Sequence, residues 1–295
     1  MDGTLLDATG AIPAKFWPLL DRARERGVVV APASGRQLAT LRAMFAHAEP
    51  EAFIAENGAV VWHRGRIVST TAMDEAPVRR LVAALAGAPF TAYPVVYTPQ
   101  VAYVGDDLPP EVAAEVAKYY AAREQRASLA DAPLDQTVKI ALYVAAGAEG
   151  GAEGAALPWV RETVPELRAV ISSARWLDVM DPAADKGTAL RDLARALGVD
   201  QRDTAATGDY LNDAGMLREA GYAVAMGNAH PDLKAIADEV VGTNAEGSAV
   251  DKLEALALPH ALDRHGMAGL RAGEAESLAG ARGGKIRVDE DGQRH

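Results

Sequence analysis

The chain has 295 residues, 49% of them apolar and 24% charged, and a net charge of −11. Its length allows a sizeable core with a second domain, its apolar share excludes wholesale disorder, and its acidic balance excludes a nucleic-acid partner, which needs basic surface. The chain contains no cysteine, which excludes disulfides and thiolate metal sites. No apolar run approaches the ~20 residues that span a bilayer. With no basic-then-apolar leader pattern either, a cytoplasmic location without a membrane partner is expected.

Ile12, Phe16, Leu19, Leu20 and Ala23 recur at helical spacing between Pro13 and Gly27, which predicts a first helix. Val28, Val29 and Val30 predict a buried strand leading into a loop at Pro32, Ala33, Ser34 and Gly35. Leu38, Leu41, Met44 and Phe45 predict a second helix, and residues 52–55 a second strand. Residues 60–62 and 67–68 flank His63, Arg64, Gly65 and Arg66, a hairpin signal. Strands alternating with helices predict a parallel sheet covered on both faces. The rhythm changes near Asp74. A helix over 78–85 precedes strand-like runs at 93–98 and 101–104. A helix is predicted over 110–123, and residues 138–144 alternate like a strand with one open face. Residues 147–154 read as an Ala/Gly/Glu loop, and runs at 167–171 and 176–180 close the block. The first rhythm then resumes: a helix after Lys186, a strand at 204–207, a helix at 211–220, a strand at 222–226, and helices near 231–237 and 247–257. The predicted organisation is a core from residues 1–73 and 183–258, an inserted α/β cap with an antiparallel sheet at 74–182, and a flexible tail at 259–295.

Asp209 follows the strand 204–207 at its carboxyl end, where open α/β sheets place their ligands. Asp213 lies four residues further on, at the start of a helix. Such a pair offers hard oxygens to a cation, and in isolation equally suits helix capping. Ser34 also suits an N-cap, Lys186 and Arg36 suit solvated surface positions, and Asn57 suits a left-handed turn before Gly58. The histidines show no metal-ligand spacing, and no serine lies in a GxSxG.

Taken in order, Asp2-Gly3-Thr4-Leu5-Leu6, Ser34-Gly35-Arg36, Asp185-Lys186-Gly187-Thr188 and Gly208-Asp209-Tyr210-Leu211-Asn212-Asp213 resemble the motifs of the haloacid-dehalogenase (HAD) phosphatases. Glu56-Asn57-Gly58-Ala59, Ala223-Val224-Ala225-Met226-Gly227-Asn228-Ala229 and Asn244-Ala245-Glu246-Gly247 are similar to segments of the Cof-type branch. The resemblance runs from residue 1 to about 258 and implies an α/β fold: a Rossmann-like core with a parallel sheet plus an inserted α/β cap. It implies hydrolysis of small phosphorylated metabolites, sugar phosphates or similar, through an aspartyl-phosphate. It further implies Mg²⁺, bound by Asp209, Asp213 and the backbone carbonyl of Asp2. Asp2 would be the general acid/base and Lys186 would neutralise the carboxylate–phosphate cluster. Thr4, Ser34, Gly35, Arg36, Asn57 and Asn212 would hold phosphate or substrate. Tyr93, Tyr97 and Arg123 are the candidates for substrate contacts in the cap. The partner is a small-molecule phosphate ester, and a monomer or homodimer is expected.

Asp2 matches the second aspartate of the DxDGT signature, so the nucleophile falls on the residue before Met1. We expect Met1 to be the internal x of that signature, with the true start upstream, and the chain from Met1 onward to lack turnover. The competing expectations are a catalytically inactive phosphometabolite-binding protein and a sugar-phosphate mutase or specialised sugar phosphatase.

Overall fold

The computed structural model describes residues 1–145 and 147–258, so the tail predicted at 259–295 lies outside the described residues. Helix α1 (Phe16–Glu25) buries Phe16, Leu19, Leu20 and Ala23, an i, i+3, i+4, i+7 stripe that faces the core. Helix α2 (Leu38–Met44) buries Leu38 and Leu41. Between them Val28, Val29 and Val30 are half-buried and form no ladder, which corrects the predicted strand. Val29 and Ala31 pack against a cluster that includes Ile54 and Leu193. Backbone pairing begins only at a parallel bridge from Ala33 to Ile54; apolar burial without ladder hydrogen bonds leaves a chain extended but unpaired.

Strands β1 (Ala52–Ala55), β2 (Val60–His63) and β3 (Arg66–Thr70) form an antiparallel meander. Strands β2 and β3 are the hairpin expected around residues 63–66, and β1 joins them antiparallel because such short connections reverse the chain. The parallel pairing in this part is the Ala33–Ile54 bridge. At the β1–β2 turn Gly58 adopts φ +102, and a Cβ there would lie 2.3 Å from the Asp185 carbonyl oxygen. Gly58→Ala is expected to cost about 1–3 kcal/mol and lower Tm by roughly 2–12 °C. An unchanged thermal transition would show that this turn is not held against Asp185.

The larger sheet is built from β4 (Ala92–Tyr97), β5 (Ala102–Gly105), β6 (Arg123–Arg126), β7 (Lys139–Val144), β8 (Arg168–Ile171) and β9 (Trp176–Met180), in the order β6-β5-β4-β7-β9-β8. Its pairs are antiparallel except β5–β6. Helices α3 (Glu75–Ala84) and α5 (Leu157–Thr163) contribute Val78, Leu81 and Val160 to a core with Ile140, Leu142 and Val144. Lys139 and Ala141, on the opposite face of β7, are buried as well, so the open face expected there is closed. Helix α4 (Pro110–Tyr119) stops short of the predicted end, and Arg123 opens edge strand β6, whose Arg-Glu-Gln-Arg sequence has no apolar face to announce it. The loop predicted at 147–154 winds into a wide helical turn from Ala152 that continues into α5.

Helix α6 (Lys186–Leu197) starts under an Asp185 cap, whose carboxylate accepts from the Gly187 amide at 2.7 Å. It is followed by β10 (Ala205–Gly208), α7 (Ala214–Glu219), β11 (Tyr222–Ala225), α8 (Pro231–Lys234), β12 (Glu239–Val240) and α9 (Ser248–Ala257). Here β10-β11-β12 is the expected parallel sheet. Residues Met1–Val250 form one compact unit and a second begins at Asp251. Among the described residues no helix is long and apolar enough to cross a membrane.

Candidate active site

The chain leaves β10 at Gly208 and turns sharply. Asp213 closes the turn by accepting from the Asp209 amide at 3.1 Å through Oδ2, and its Oδ1 accepts from Lys186 Nζ at 2.6 Å. Both side chains are almost fully buried, at 3% exposure for Asp213 and 2% for Lys186. Burial alone would raise the Asp213 pKa, but Lys186 and the Met1 amino group outweigh it and hold the carboxylate below the ordinary aspartate value. Asp213 therefore spends both oxygens inside the protein.

Asp209 differs. Its Oδ1 accepts from the Thr4 hydroxyl at 2.5 Å. Burial pushes its pKa above the ordinary value and Asp213 adds to that, against the Thr4 hydrogen bond. The carboxylate rests over Gly3, which adopts φ +69; a Cβ there would lie 2.3 Å from Asp209 Oδ2. Only a glycine lets the segment approach this closely. Asn228 Nδ2 donates to the Gly3 carbonyl at 2.8 Å, Asn244 Nδ2 to the Leu6 carbonyl at 2.8 Å, and the Asn244 amide to Asn228 Oδ1 at 3.1 Å. The two glycine- and asparagine-containing segments near 228 and 244 thus anchor residues 3–6.

Asp2 turns its exposed side chain to Arg36, with Nη2 2.7 Å from Oδ1. Burial would raise its pKa, yet the Arg36 hydrogen bond and charge carry it below the ordinary value. The Met1 amino group is buried beside these groups. Burial and Lys186 lower its pKa, opposed by Asp213, Asp209 and Asp2.

The second group of predicted residues lies at the loop before α2. Ser34 is buried, its hydroxyl accepts from the Arg36 amide at 3.2 Å, and its carbonyl accepts from the Asn57 amide at 3.0 Å. Asn212 Nδ2 donates to Asn57 Oδ1 at 3.2 Å, and a Cβ on Gly35 would meet the Asn57 side-chain Nδ2 at 3.0 Å. Glu56 and Asn57 both sit at positive φ, 50 and 54, a strained backbone of the kind that functional sites retain. The chain thus brings Thr4 to Asp209, Lys186 to Asp213, Asp2 to Arg36, and Ser34 through Asn57 to Asn212. Among the described residues no group of three or more His, Cys, Asp or Glu gathers as a metal site; the expected set has two carboxylates, Asp209 and Asp213, with the Asp2 backbone carbonyl. Of the predicted substrate contacts, Tyr97 is fully buried, its ring 6.0 Å from that of Tyr120, which removes it from the surface.

Sequence reasoning missed a buried polar cluster beside Gly35. Lys139 Nζ pairs with Glu56 Oε2, lies 3.8 Å from Asp178 Oδ2, and donates to the Gly35 carbonyl at 3.4 Å. The signal was present: Lys139 sits in the apolar run Val138-Lys139-Ile140-Ala141, and Asp178 in Leu177-Asp178-Val179. A charge inside a strand that is otherwise buried needs a partner.

The sequence pattern of the haloacid dehalogenase-like hydrolases matches residues 1–253. The chain belongs to that family. HMP-PP phosphatase of Cronobacter sakazakii is 29% identical over 240 residues, covering 80% of this chain and 85% of that protein. Phosphatase YwpJ of Bacillus subtilis is 46% identical over 89 residues, so the match spans 30% of this chain and 31% of that relative's length. The crystal structure of TM0651 from Thermotoga maritima shares the fold, with a TM-score of 0.72 at 24% identity over 86% of this chain and 94% of that one.

Proposed function

We propose that this hydrolase cleaves small phosphorylated metabolites, sugar phosphates or similar, in a Mg²⁺-dependent reaction. The observation that carries the reading is the convergence at the end of β10. There the Asp209 carboxylate and the buried Lys186–Asp213 pair meet the segment holding Asp2 and Thr4, and Arg36 links Asp2 to the Ser34 loop. Two relatives carry phosphatase names, which supports the same class.

The donor set suits a hard cation: Asp209 lies in a hollow that a Cβ on Gly3 would fill, and its raised pKa reflects burial first and then the Asp213 carboxylate. Asp209 and the Asp2 carbonyl would hold the ion, with Asp213 behind them orienting the turn. Bound Mg²⁺ would offset the repulsion between a phosphate dianion and an attacking carboxylate. Lys186 keeps the Asp213 carboxylate neutralised. Ser34, the Gly35 amide, Thr4, Asn57 and Asn212 are assigned to substrate and phosphoryl oxygens. Paired with Arg36, Asp2 is held ionised, the state that accepts a proton from attacking water. Donating a proton to the leaving oxygen requires Arg36 to turn away, onto the phosphoryl group. In the DxDGT pattern the attacking carboxylate belongs to the position before Met1, so turnover is assigned to protein carrying an aspartate there. Residues 74–182 are assigned as a cap that closes over the site.

The test is phosphate release from a panel of phosphorylated metabolites, with and without Mg²⁺, by the chain from Met1 and by protein carrying an aspartate-ended strand ahead of it. The extended protein is expected to turn over and the chain from Met1 to stay at background; equal rates would remove the nucleophile assignment. Asp209→Asn in the extended protein is expected to abolish Mg²⁺-dependent release while leaving Tm nearly unchanged. Wild-type activity in that variant would sink the metal assignment, and phosphate binding without turnover in every form would favour a binding protein instead.

A further inference from the structure

The cluster around Lys139 has no place in the reaction just described, and it is costly. Two carboxylates and one ammonium are withdrawn from water, and a buried ion set of this kind adds little stability of its own. Glu56 also holds a positive φ to take part. What the cluster reaches is the loop assigned to phosphate. Lys139 Nζ donates to the Gly35 carbonyl, with Glu56 and Asp178 beside it and the Tyr120 ring 5.5 Å away. One step along the chain, the Arg36 amide donates to the Ser34 hydroxyl. The far end of the same loop is gripped too: Gln37, 1% exposed, exchanges hydrogen bonds with both backbone groups of Ala122, at 2.8 and 3.1 Å. Thr40 donates to the Tyr119 carbonyl at 2.7 Å. The loop at 34–37 is thus held at both ends by groups from the stretch that carries the six-stranded sheet.

We propose that Lys139 is a positioning residue for phosphate binding: anchored by Glu56 and Asp178, it fixes the Gly35 carbonyl, and so sets the Ser34–Gly35–Arg36 turn in the shape that receives a phosphoryl group. The proposal rests on the reading of that turn as a phosphate site. It places the stretch 74–182 in the phosphate site itself, through a side chain on β7, as well as in covering it. Burial works against the Lys139 ammonium, but Asp178 and Glu56 outweigh it and keep the group charged, which strengthens its hydrogen bond to the carbonyl.

The test uses the chain as it stands and inorganic phosphate as the probe. Titration calorimetry gives the dissociation constant, and amide NMR reports Gly35 and Arg36 without phosphate. Lys139→Met/Glu56→Gln, made in an Asp178→Asn background, removes all three charges together and keeps the volume, which avoids stranding one buried charge. It is expected to weaken phosphate binding about tenfold, the scale of one charge-assisted hydrogen bond, and to shift the Gly35 and Arg36 amides. Lys139→Arg should restore much of the affinity. Val96→Ala, a destabilising change in the neighbouring strand, should leave both readouts unchanged. Ser34→Ala should weaken binding directly. Weakened binding in Ser34→Ala with wild-type affinity and unshifted amides in the triple variant would overturn the proposal alone. Wild-type affinity in Ser34→Ala would overturn the phosphate reading and the proposal with it.

Discussion

Replacing Lys186 with methionine is expected to lower the unfolding free energy by about 3–5 kcal/mol at pH 7. The two side chains are similar in length, so no large cavity results. The cost comes from Asp213, whose carboxylate remains 3% exposed with its 2.6 Å partner gone. Removing Lys186 also lets the Met1 amino group hold its proton better, which moves the expectation toward the lower end. In the wild type the folded-state pKa of Asp213 is depressed, so its contribution is present above the unfolded value and lost as pH falls. In the variant burial dominates and the folded protein takes up a proton more readily, so the deficit should shrink in acid. Urea denaturation of both proteins at pH 7 and pH 4 measures this. A loss below about 1 kcal/mol at pH 7 would mean the pair is solvated and contributes like a surface ion pair.

The second large effect concerns Glu56. Burial pushes its carboxyl up to about 7, with Lys139 pulling the other way. The folded chain therefore binds a proton more tightly than the unfolded chain does between the ordinary value of 4.5 and about 7. Stability from this group is fully present below the lower value and is lost as pH rises through the upper one. At 1.36 kcal/mol per unit, the loss across that window is about 3 kcal/mol. Glu56→Gln cannot titrate, so the stability difference, wild type minus variant, should fall by about that amount from pH 4 to pH 8. Taking the difference cancels the opposite trend of carboxylates such as Asp213. A difference that stays flat or rises with pH would show that folding does not raise the Glu56 pKa.

Much of the fold was legible because it follows from local chemistry. The stripe of Phe16, Leu19, Leu20 and Ala23 gave α1, and Asp185 ahead of Lys186 gave the start of α6. The turns of the candidate site were legible in the same way, since Ser34-Gly35-Arg36 and Gly208-Asp209 are short segments shaped by their own local bonds. What failed was what depends on partners. The valines at 28–30 look like a strand, but a ladder needs a neighbour. Arg123 to Arg126 looks like nothing, and becomes a strand because β5 offers an edge. The segment from Ala152 is Gly- and Ala-rich and hides its helix. Lys139 and Gly35 are 104 positions apart, and no local pattern could pair them. Asp213 was read as a second cation ligand or an outer-shell partner, and spacing alone could not show that Lys186 pairs with one of its oxygens.

Thr4 meets Asp209 across 205 positions, Gly3 meets Asn228 across 225, and Leu6 meets Asn244 across 238. During synthesis, at roughly 5–20 residues per second, residues 3–6 wait on the order of ten to fifty seconds before their partners leave the ribosome. Residues 3–6 are therefore among the last parts of the unit able to close. Until then those few residues lack these three partners, and in the cell that interval is when a protease or chaperone would meet them.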